Sequence, residues 1–328
     1  MKIRQQITGV IAPVFTVFKD DLSFDEYGQR QMFDFLLRTA AINAYFVRSG
    51  LGQMFTFDME DTKMMAKTAC EHLSGIAPVL VGCNGIWNRD LKHRPDPDLF
   101  IKQAVELSQF AEQVGATGVV HTVPEALLPL PGESEASVIR RYFNTIAEAI
   151  SIPIFIYQPP FTEPAYQLTP ALLAELAEQP RIISAKVSSD RAGYLFDLIQ
   201  SVKTKDFVFT AGNETVYFAA LFAGARAVIG QGCSINPQIV KAVKDCFERR
   251  DFEGVLAAQH STNLLVEKCR NPVDFLKVYA AEKGFRMGRA CRQMPRESYL
   301  KSPNPLSEQE YLTYKIFLES ELAKYPMT

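Results

Sequence analysis

The sequence predicts an α/β protein, a (β/α)8 TIM barrel with a C-terminal helical appendage. Two observations lead to this class. Eight short runs are apolar on both faces, as buried parallel strands are, and longer amphipathic segments alternate with them. About a hundred residues remain after the eighth run, and their periodicity is helical. We therefore expect a catalytic barrel over residues 1–235 and a helical region over residues 236–328.

Each predicted strand is four to six residues long. Between the strands the period becomes helical, and Phe100, Ala104 and Leu107 share one face of such a helix. Asp98 is its expected N-cap and Gly115 its expected C-terminal stop. The eight strands are expected at Gly9–Val14, Ala44–Val47, Ala77–Val81, Gly118–His121, Ile152–Tyr157, Ile182–Lys186, Phe207–Thr210 and Ala227–Gly230.

Four helices are predicted beyond the barrel, and the last of them begins after Ser307. Two of the loops that follow strands are unusually long, Asn84–Pro97 and Val123–Glu133. The expected helices are Pro237–Arg249, Phe252–Lys268, Pro272–Lys283 and Glu308–Lys324.

Composition excludes several classes of protein. The 328 residues are 47% hydrophobic and carry a net charge of −2, so there is no basic surface for nucleic acid or for an anionic membrane. No apolar run approaches the ~20 residues that a membrane span needs. The N-terminus lacks the apolar region of an export signal, and we expect a cytoplasmic protein.

Cysteines and histidines give no support for a metal or a cofactor. The six cysteines form no Cys-x-x-Cys pair, and we expect free thiols. The four histidines are scattered, and the sequence contains no His-Glu-x-x-His, Walker A or Gly-x-Gly-x-x-Gly motif. The sequence therefore gives no support for a protein zinc site or a bound dinucleotide, and we expect no cofactor.

Polar residues follow the predicted strands at the end of a barrel where catalytic groups lie. Lys186 ends an otherwise apolar run, and a partly desolvated amine there is a candidate Schiff-base nucleophile. The alternative is a lysine that merely extends to solvent. Tyr157 ends the neighbouring strand, where its phenol is either a proton shuttle or a core aromatic. Asn213 and Glu214 follow the seventh strand, where they are substrate ligands or only a helix cap.

Several of these segments together resemble the dihydrodipicolinate synthase/N-acetylneuraminate lyase superfamily of class I aldolases, and the resemblance runs nearly end to end. It is most specific at Ile154–Pro160, which is similar to the Tyr-Asn-x-Pro strand, and at Ile183–Asp190, which is similar to the Schiff-base lysine strand. The resemblance implies that Lys186 condenses with a 2-oxo acid, that Tyr157 relays protons and that the chain forms a homotetramer. It also implies substrate contacts from Ser49, Gly50, Leu51, Asn213, Glu214 and Gly230.

The sequence departs from the family in the lengths of the loops Asn84–Pro97 and Gly230–Ile235 and at three of the family's site motifs. The Gly-Thr-Thr-Gly-Glu motif that holds the substrate carboxylate is here Ser49–Gln53, so only backbone N–H groups and the Ser49 hydroxyl remain. Pro124-Glu125-Ala126 replaces Pro-Tyr-Tyr, which removes the tyrosine lent by a neighbouring subunit. Thr162 aligns with the arginine that binds aspartate semialdehyde, which argues against dihydrodipicolinate synthase activity.

Two classes of function remain open. The first is a lyase that cleaves or dehydrates a 2-keto-3-deoxy sugar acid, or a similar 2-oxo acid, through a lysine Schiff base. The second is a homologue without turnover that binds 2-oxo acids or has a regulatory role. The loop Asn84–Pro97 carries Trp87, Arg89, Lys92 and Arg94. We expect it either to select the substrate or to pack against a neighbouring subunit.

Overall fold

Eight parallel strands close into a barrel in chain order, with β1 hydrogen-bonded to both β2 and β8. The computed structural model describes residues 2–294 and 304–326. The strands are β1 (Gly9–Pro13), β2 (Ala44–Val47), β3 (Val79–Gly82), β4 (Gly118–Thr122), β5 (Ile154–Gln158), β6 (Ile182–Val187), β7 (Val208–Ala211) and β8 (Ala227–Val228). The predicted (β/α)8 class is confirmed.

Helices surround the barrel and continue past it. Before β1 comes α1 (Lys2–Gln6), whose Ile3 packs against the interior cluster, and around the strands lie α2 (Glu26–Leu37), α3 (Met59–His72), α4 (Pro97–Gln113), α5 (Glu135–Ala149), α6 (Pro170–Leu176), α7 (Ala192–Val202) and α8 (Tyr217–Ala223). After β8 come α9 (Gly232–Ile235), α10 (Pro237–Glu248), α11 (Phe252–Lys268), α12 (Pro272–Glu282) and α13 (Glu308–Leu322). The four expected C-terminal helices are therefore present, and α10 packs on both α11 and β1. The division into residues 1–235 and 236–328 stays a prediction.

Alternation along the strands separates two apolar layers. Phe46, Leu80 and Val120 belong to a cluster that fills the barrel interior. The residues adjacent to them in the sequence, Val47, Val81 and Val119, belong to the larger layer between the strands and the surrounding helices. All these side chains are at most 4% exposed, which explains why the strand sequences are apolar on both faces.

The boundaries differ from those predicted by one or two residues at several strand ends, because apolar runs continue into buried loops. Asp98 is not the N-cap of α4. Asp96 caps that helix by accepting a 2.8 Å hydrogen bond from the Leu99 N–H, and Pro97 occupies the first helical turn. Gly115 follows the helix in the left-handed region, with φ of 89°, as a stop residue does.

Each of the six cysteines lies in the described part of the chain and is free. Within the described residues no helix is both long and apolar enough to span a bilayer. The same residues hold no cluster of three or more metal-binding side chains.

Candidate active site

A cavity of about 530 Å³ opens at the carboxyl ends of β5 to β8. Most of its wall comes from the loops that follow these four strands. Six of the eight candidate catalytic and substrate-binding residues line it, namely Leu51, Tyr157, Lys186, Asn213, Glu214 and Gly230, and Thr162 lines it too. The cavity is thus where the polar ends of the strands were expected to meet.

Tyr157 and Lys186 occupy directly opposed positions on β5 and β6. The Nζ atom of Lys186 lies 4.0 Å from the centroid of the Tyr157 ring, over its face. The same Nζ is 5.8 Å from the Phe46 ring on β2, and the lysine is only 8% exposed. An ammonium group in this position is held by cation–π attraction to aromatic faces. The structure therefore brings together the two residues that the sequence proposed as a pair.

A shift in strand pairing produces this arrangement. Ile154 pairs with Ile182, but Phe155 pairs with Ser184, so β6 carries one extra residue, Ile183. Beyond the shift, Tyr157 faces Lys186. An extra residue reverses the face to which all later side chains of its strand point, and here it turns Lys186 toward the barrel interior.

Glu214 and Gly230 are in close contact beneath the mouth of the barrel. The Glu214 carboxylate is buried and accepts a 2.8 Å hydrogen bond from the Gly232 N–H. A Cβ atom on residue 230 would overlap that carboxylate, which accounts for glycine there. Burial raises the pKa of the Glu214 carboxyl, and the Gly232 N–H and the nearby Lys186 ammonium offset part of this effect.

Asn213 has the capping role that was the simpler alternative. Its Oδ1 accepts hydrogen bonds from the Thr215 N–H at 3.0 Å and the Thr215 hydroxyl at 2.8 Å. Asn213 also lines the cavity, so the cap does not remove it from the site.

The rim of the cavity contains polar groups that the sequence pattern did not single out. Asp190 and Arg191 follow β6, and the Arg191 guanidinium stacks 5.0 Å from the centroid of the Tyr194 ring. The Tyr194 hydroxyl is directed at Gln158 Oε1 and the Leu168 carbonyl. The signal was present, because the polar run Ser188–Arg191 begins directly after β6, at the end of a strand where functional groups lie.

Comparison with known proteins agrees with this architecture. Residues 6–319 match the model of the "Dihydrodipicolinate synthetase family". The chain belongs to this family. It is 31% identical to the "Putative 2-dehydro-3-deoxy-D-gluconate aldolase YagE" of Escherichia coli over 235 residues, 71% of each chain. It is 24% identical to the "Probable 2-dehydro-3-deoxy-D-pentonate aldolase YjhH" of the same species, over 91% of this chain and 92% of the relative.

Solved structures resemble the chain over almost its whole length. A crystal structure of the Escherichia coli YagE protein in complex with pyruvate has a TM-score of 0.77 at 24% identity, covering 97% of this chain and 99% of that one. The sialic acid aldolase of Ruminococcus gnavus has a TM-score of 0.82 at 18% identity, covering 98% and 100%. At these identities the likeness is one of fold. Family membership and the aldolase relatives identify the chain as an enzyme of the lyase class.

The turn that replaces the carboxylate-binding motif of the family is hydrogen-bonded to itself. Ser49 is buried, and its Oγ accepts a 3.0 Å hydrogen bond from the Gly52 N–H. The Gly50 carbonyl accepts from the Gln53 N–H at 3.1 Å. Leu51 lines the cavity, whereas Ser49 and Gly50 are not part of its wall. Direct substrate contact is therefore expected from Leu51 alone among these three.

The loop Asn84–Pro97 contributes no side chain to the cavity wall. Arg89 is buried and pairs with the equally buried Glu125, its Nε and Nη2 lying 3.2 and 3.1 Å from Glu125 Oε2. Arg94 donates to the Glu125 carbonyl at 2.9 Å and to Glu163 Oε2 at 2.7 Å. The guanidinium groups of Arg89 and Arg94 are thus bound to other groups of the same chain. This geometry does not fit the expectation that they select the substrate. Packing against a neighbouring subunit stays a prediction.

Proposed function

We propose that the chain is a Schiff-base lyase that acts on a 2-keto-3-deoxy sugar acid or a similar 2-oxo acid. The observation that carries this proposal is the opposed pair of Tyr157 and Lys186 in the wall of one cavity, with 4.0 Å between the Lys186 Nζ and the Tyr157 ring centroid. A buried amine beside an acid–base group is the arrangement that covalent catalysis on a carbonyl needs.

The reaction follows from the two groups. The neutral amine of Lys186 adds to the C2 carbonyl, and loss of water from the carbinolamine leaves an iminium ion. Tyr157 gives and takes the protons of this dehydration. Removal of the C4 hydroxyl proton then breaks the C3–C4 bond, releasing an aldehyde and leaving an enamine on Lys186. Protonation at C3 and hydrolysis return pyruvate and the free lysine.

Dehydration is the second outcome of the same iminium ion. Loss of a C3 proton gives an enamine from which the C4 hydroxyl leaves with a proton, so water is released and no carbon–carbon bond breaks. The polar rim, with Ser188, Asp190, Asn213 and Gln231 in the cavity wall, suits the hydroxyl groups that both kinds of substrate carry. We also propose that the enzyme forms a homotetramer and is located in the cytoplasm.

Borohydride reduction in the presence of pyruvate tests the proposal. Intact mass should show one adduct, and peptide mapping should place it on Lys186. Lys277 is the natural internal control, because it is the other buried lysine of the described residues, burial lowers its pKa, and it does not line the cavity. Lys186→Arg should abolish the adduct while keeping a cation in place.

The outcomes separate the possible functions. An adduct on Lys186, together with cleavage or dehydration of a 2-keto-3-deoxy acid, supports the proposal. An adduct without turnover of any 2-oxo acid in a panel favours a binding or regulatory protein. An adduct that persists in Lys186→Arg contradicts the assignment of the nucleophile.

A further inference from the structure

Residues 285–294 follow α12 and lie across the carboxyl end of the barrel without forming helix or strand. They contact residues that follow β1 and β2, as well as α12. Gly288 lies against Phe18, because a Cβ atom on Gly288 would come within 2.6 Å of the Phe18 carbonyl oxygen. We call the last six of these residues, Arg289–Met294, the closing segment.

Two side chains of α12 hold the start of the closing segment. Arg289 makes a two-pronged ion pair with the buried Asp274, with N–O distances of 2.5 and 2.6 Å. Lys277 is 1% exposed and donates a 2.6 Å hydrogen bond to the Ala290 carbonyl. Bidentate and buried charged contacts of this kind fix a backbone far more firmly than exposed ion pairs do.

Arg292 binds the middle of the segment to the barrel. Its guanidinium pairs with both oxygens of Asp61 at the start of α3 and donates to the Thr56 carbonyl at 2.9 Å. The Nε atom donates to the Leu22 carbonyl at 2.9 Å, and the group lies 4.4 Å from the centroid of the Phe18 ring. One side chain thus joins the loops after β1 and β2.

Gln53 connects the segment to the altered motif. Its Nε2 donates a 2.6 Å hydrogen bond to the Arg292 carbonyl and lies 3.4 Å from the Met294 sulfur. Its Oε1 is buried and has no hydrogen-bond partner among the described residues. Gln53 stands where the family motif has glutamate, and an ionised glutamate has no hydrogen to donate to a carbonyl. This departure from the motif is therefore one that the closing segment requires.

Met294 ends the segment inside the barrel. It is 7% exposed and belongs to the interior cluster together with Phe46, Phe55 and Tyr157. Phe46 is the residue whose ring lies 5.8 Å from the Lys186 Nζ. The cavity wall, by contrast, comes mainly from the loops after β5 to β8. No residue of the closing segment lines the cavity, so the segment fills the side of the mouth next to β2 and does not form the cavity wall.

We propose that the closing segment fills the mouth of the barrel beside the catalytic cavity, and that Met294 limits the room for a second substituent at C3 of the 2-oxo acid. The segment closes the mouth on the β2 side, so the remainder of a bound substrate extends toward the polar loops after β6 and β7. The limit rests on the proposed function, because it concerns the acid bound to Lys186.

Two variants test how the closing segment is held and what Met294 excludes. Gln53→Glu restores the family residue at nearly constant volume, and it should speed amide hydrogen exchange in residues 289–294 at least about tenfold by removing the hydrogen bond to the Arg292 carbonyl. Met294→Ala opens space without touching that bond. Met64→Ala is the matched control, since Met64 is exposed on α3.

Adduct formation at Lys186 is then measured with pyruvate, 2-oxobutanoate and 3-methyl-2-oxobutanoate under borohydride. Met294→Ala should raise the yield with the branched acid relative to pyruvate about tenfold, as expected when a blocking side chain worth ~1.4 kcal/mol is removed. Met64→Ala should match the wild type. An unchanged size profile in Met294→Ala overturns the size limit set by Met294 while leaving the Schiff base intact. No adduct in any variant overturns both proposals, and unchanged exchange in Gln53→Glu overturns the role of Gln53.

Discussion

Lys186 and Tyr157 are register partners on adjacent strands, and the lysine Nζ rests over the face of the tyrosine ring, 4.0 Å from its centroid. The amine is thereby held between aromatic faces and not by a carboxylate hydrogen bond among the described residues. An approaching carbonyl competes with cation–π attraction, which is worth about 0.5–2 kcal/mol, and with the charge of the nearby Glu214 carboxylate. The pair is therefore organised for covalent chemistry without being locked by an ion pair.

Removal of the Tyr157 hydroxyl should separate chemistry from binding. Tyr157→Phe keeps the ring beside Lys186 and removes one oxygen, so we expect kcat to fall on the order of 10²–10⁴-fold with little change in KM. Steady-state kinetics with a 2-keto-3-deoxy acid measures this, and circular dichroism confirms the fold. A kcat equal to that of the wild type would make Tyr157 a core aromatic.

Condensation of pyruvate with aspartate semialdehyde should be negligible. Thr162 occupies the position of the arginine that binds this aldehyde in dihydrodipicolinate synthases, and its hydroxyl donates to the Pro159 carbonyl at 2.9 Å. One hydroxyl does not replace a bidentate guanidinium. A coupled assay with both substrates is the measurement, and efficient turnover in it would overturn this expectation.

The buried pair of Arg89 and Glu125 should be necessary for stability. Glu125→Gln removes the buried carboxylate that pairs with the Arg89 guanidinium, and we expect it to lower the free energy of unfolding by about 3–5 kcal/mol. The double variant Arg89→Met/Glu125→Gln removes the buried charge and should recover much of the loss. Urea unfolding of the wild type and the two variants measures both effects. Equal stability of all three would show that the loop Asn84–Pro97 does not depend on this pair.

His121 should make the protein less stable in mild acid. It lies outside the barrel under α4 and α5, with ring nitrogens 3.0 Å from the Ser108 Oγ and 2.8 Å from the Tyr142 hydroxyl. Burial lowers the pKa of His121 from 6.5 to about 3. Between these values the unfolded chain binds a proton that the folded chain does not, so stability is full above pH 6.5 and falls as the pH decreases toward 3.

Unfolding at pH 7 and pH 5 measures this effect, and the loss from His121 alone is roughly 2 kcal/mol. His121→Gln should flatten the dependence by about that amount, because glutamine does not titrate. If the variant and the wild type lose the same stability between the two pH values, the histidine is not the cause.

The sequence determined the fold class because its pattern is local and repeated. Eight runs that are apolar on both faces specify strands covered on both sides, and the terminal helices follow from their own periodicity and caps. It also indicated which polar residues lie at the carboxyl ends of the strands. Strand ends and the cap of α4 were less well predicted, since apolar loop residues and neighbouring aspartates carry nearly the same local signal.

The tertiary structure decided which residues that are distant in the chain become interaction partners. No local pattern pairs Arg89 with Glu125, or Gln53 with the carbonyl of Arg292, 239 positions away. His121 ends an apolar run of the sequence, and its ring points outward to Ser108 and Tyr142. Burial of a polar side chain depends on which face of the sheet it occupies, and that face is fixed by pairing and not by composition.

Lys186 shows, within one residue, both what the sequence determined and what the tertiary structure decided. The sequence placed it at the end of β6, beside the strand that carries Tyr157. Ile182 pairs with Ile154 on the outer face, and regular alternation over four residues would have put Lys186 on that face too. The extra residue Ile183 reverses the alternation and turns the amine into the barrel beside Tyr157. A bulge forms only when two strands are already paired, so the tertiary structure alone decided where this amine points.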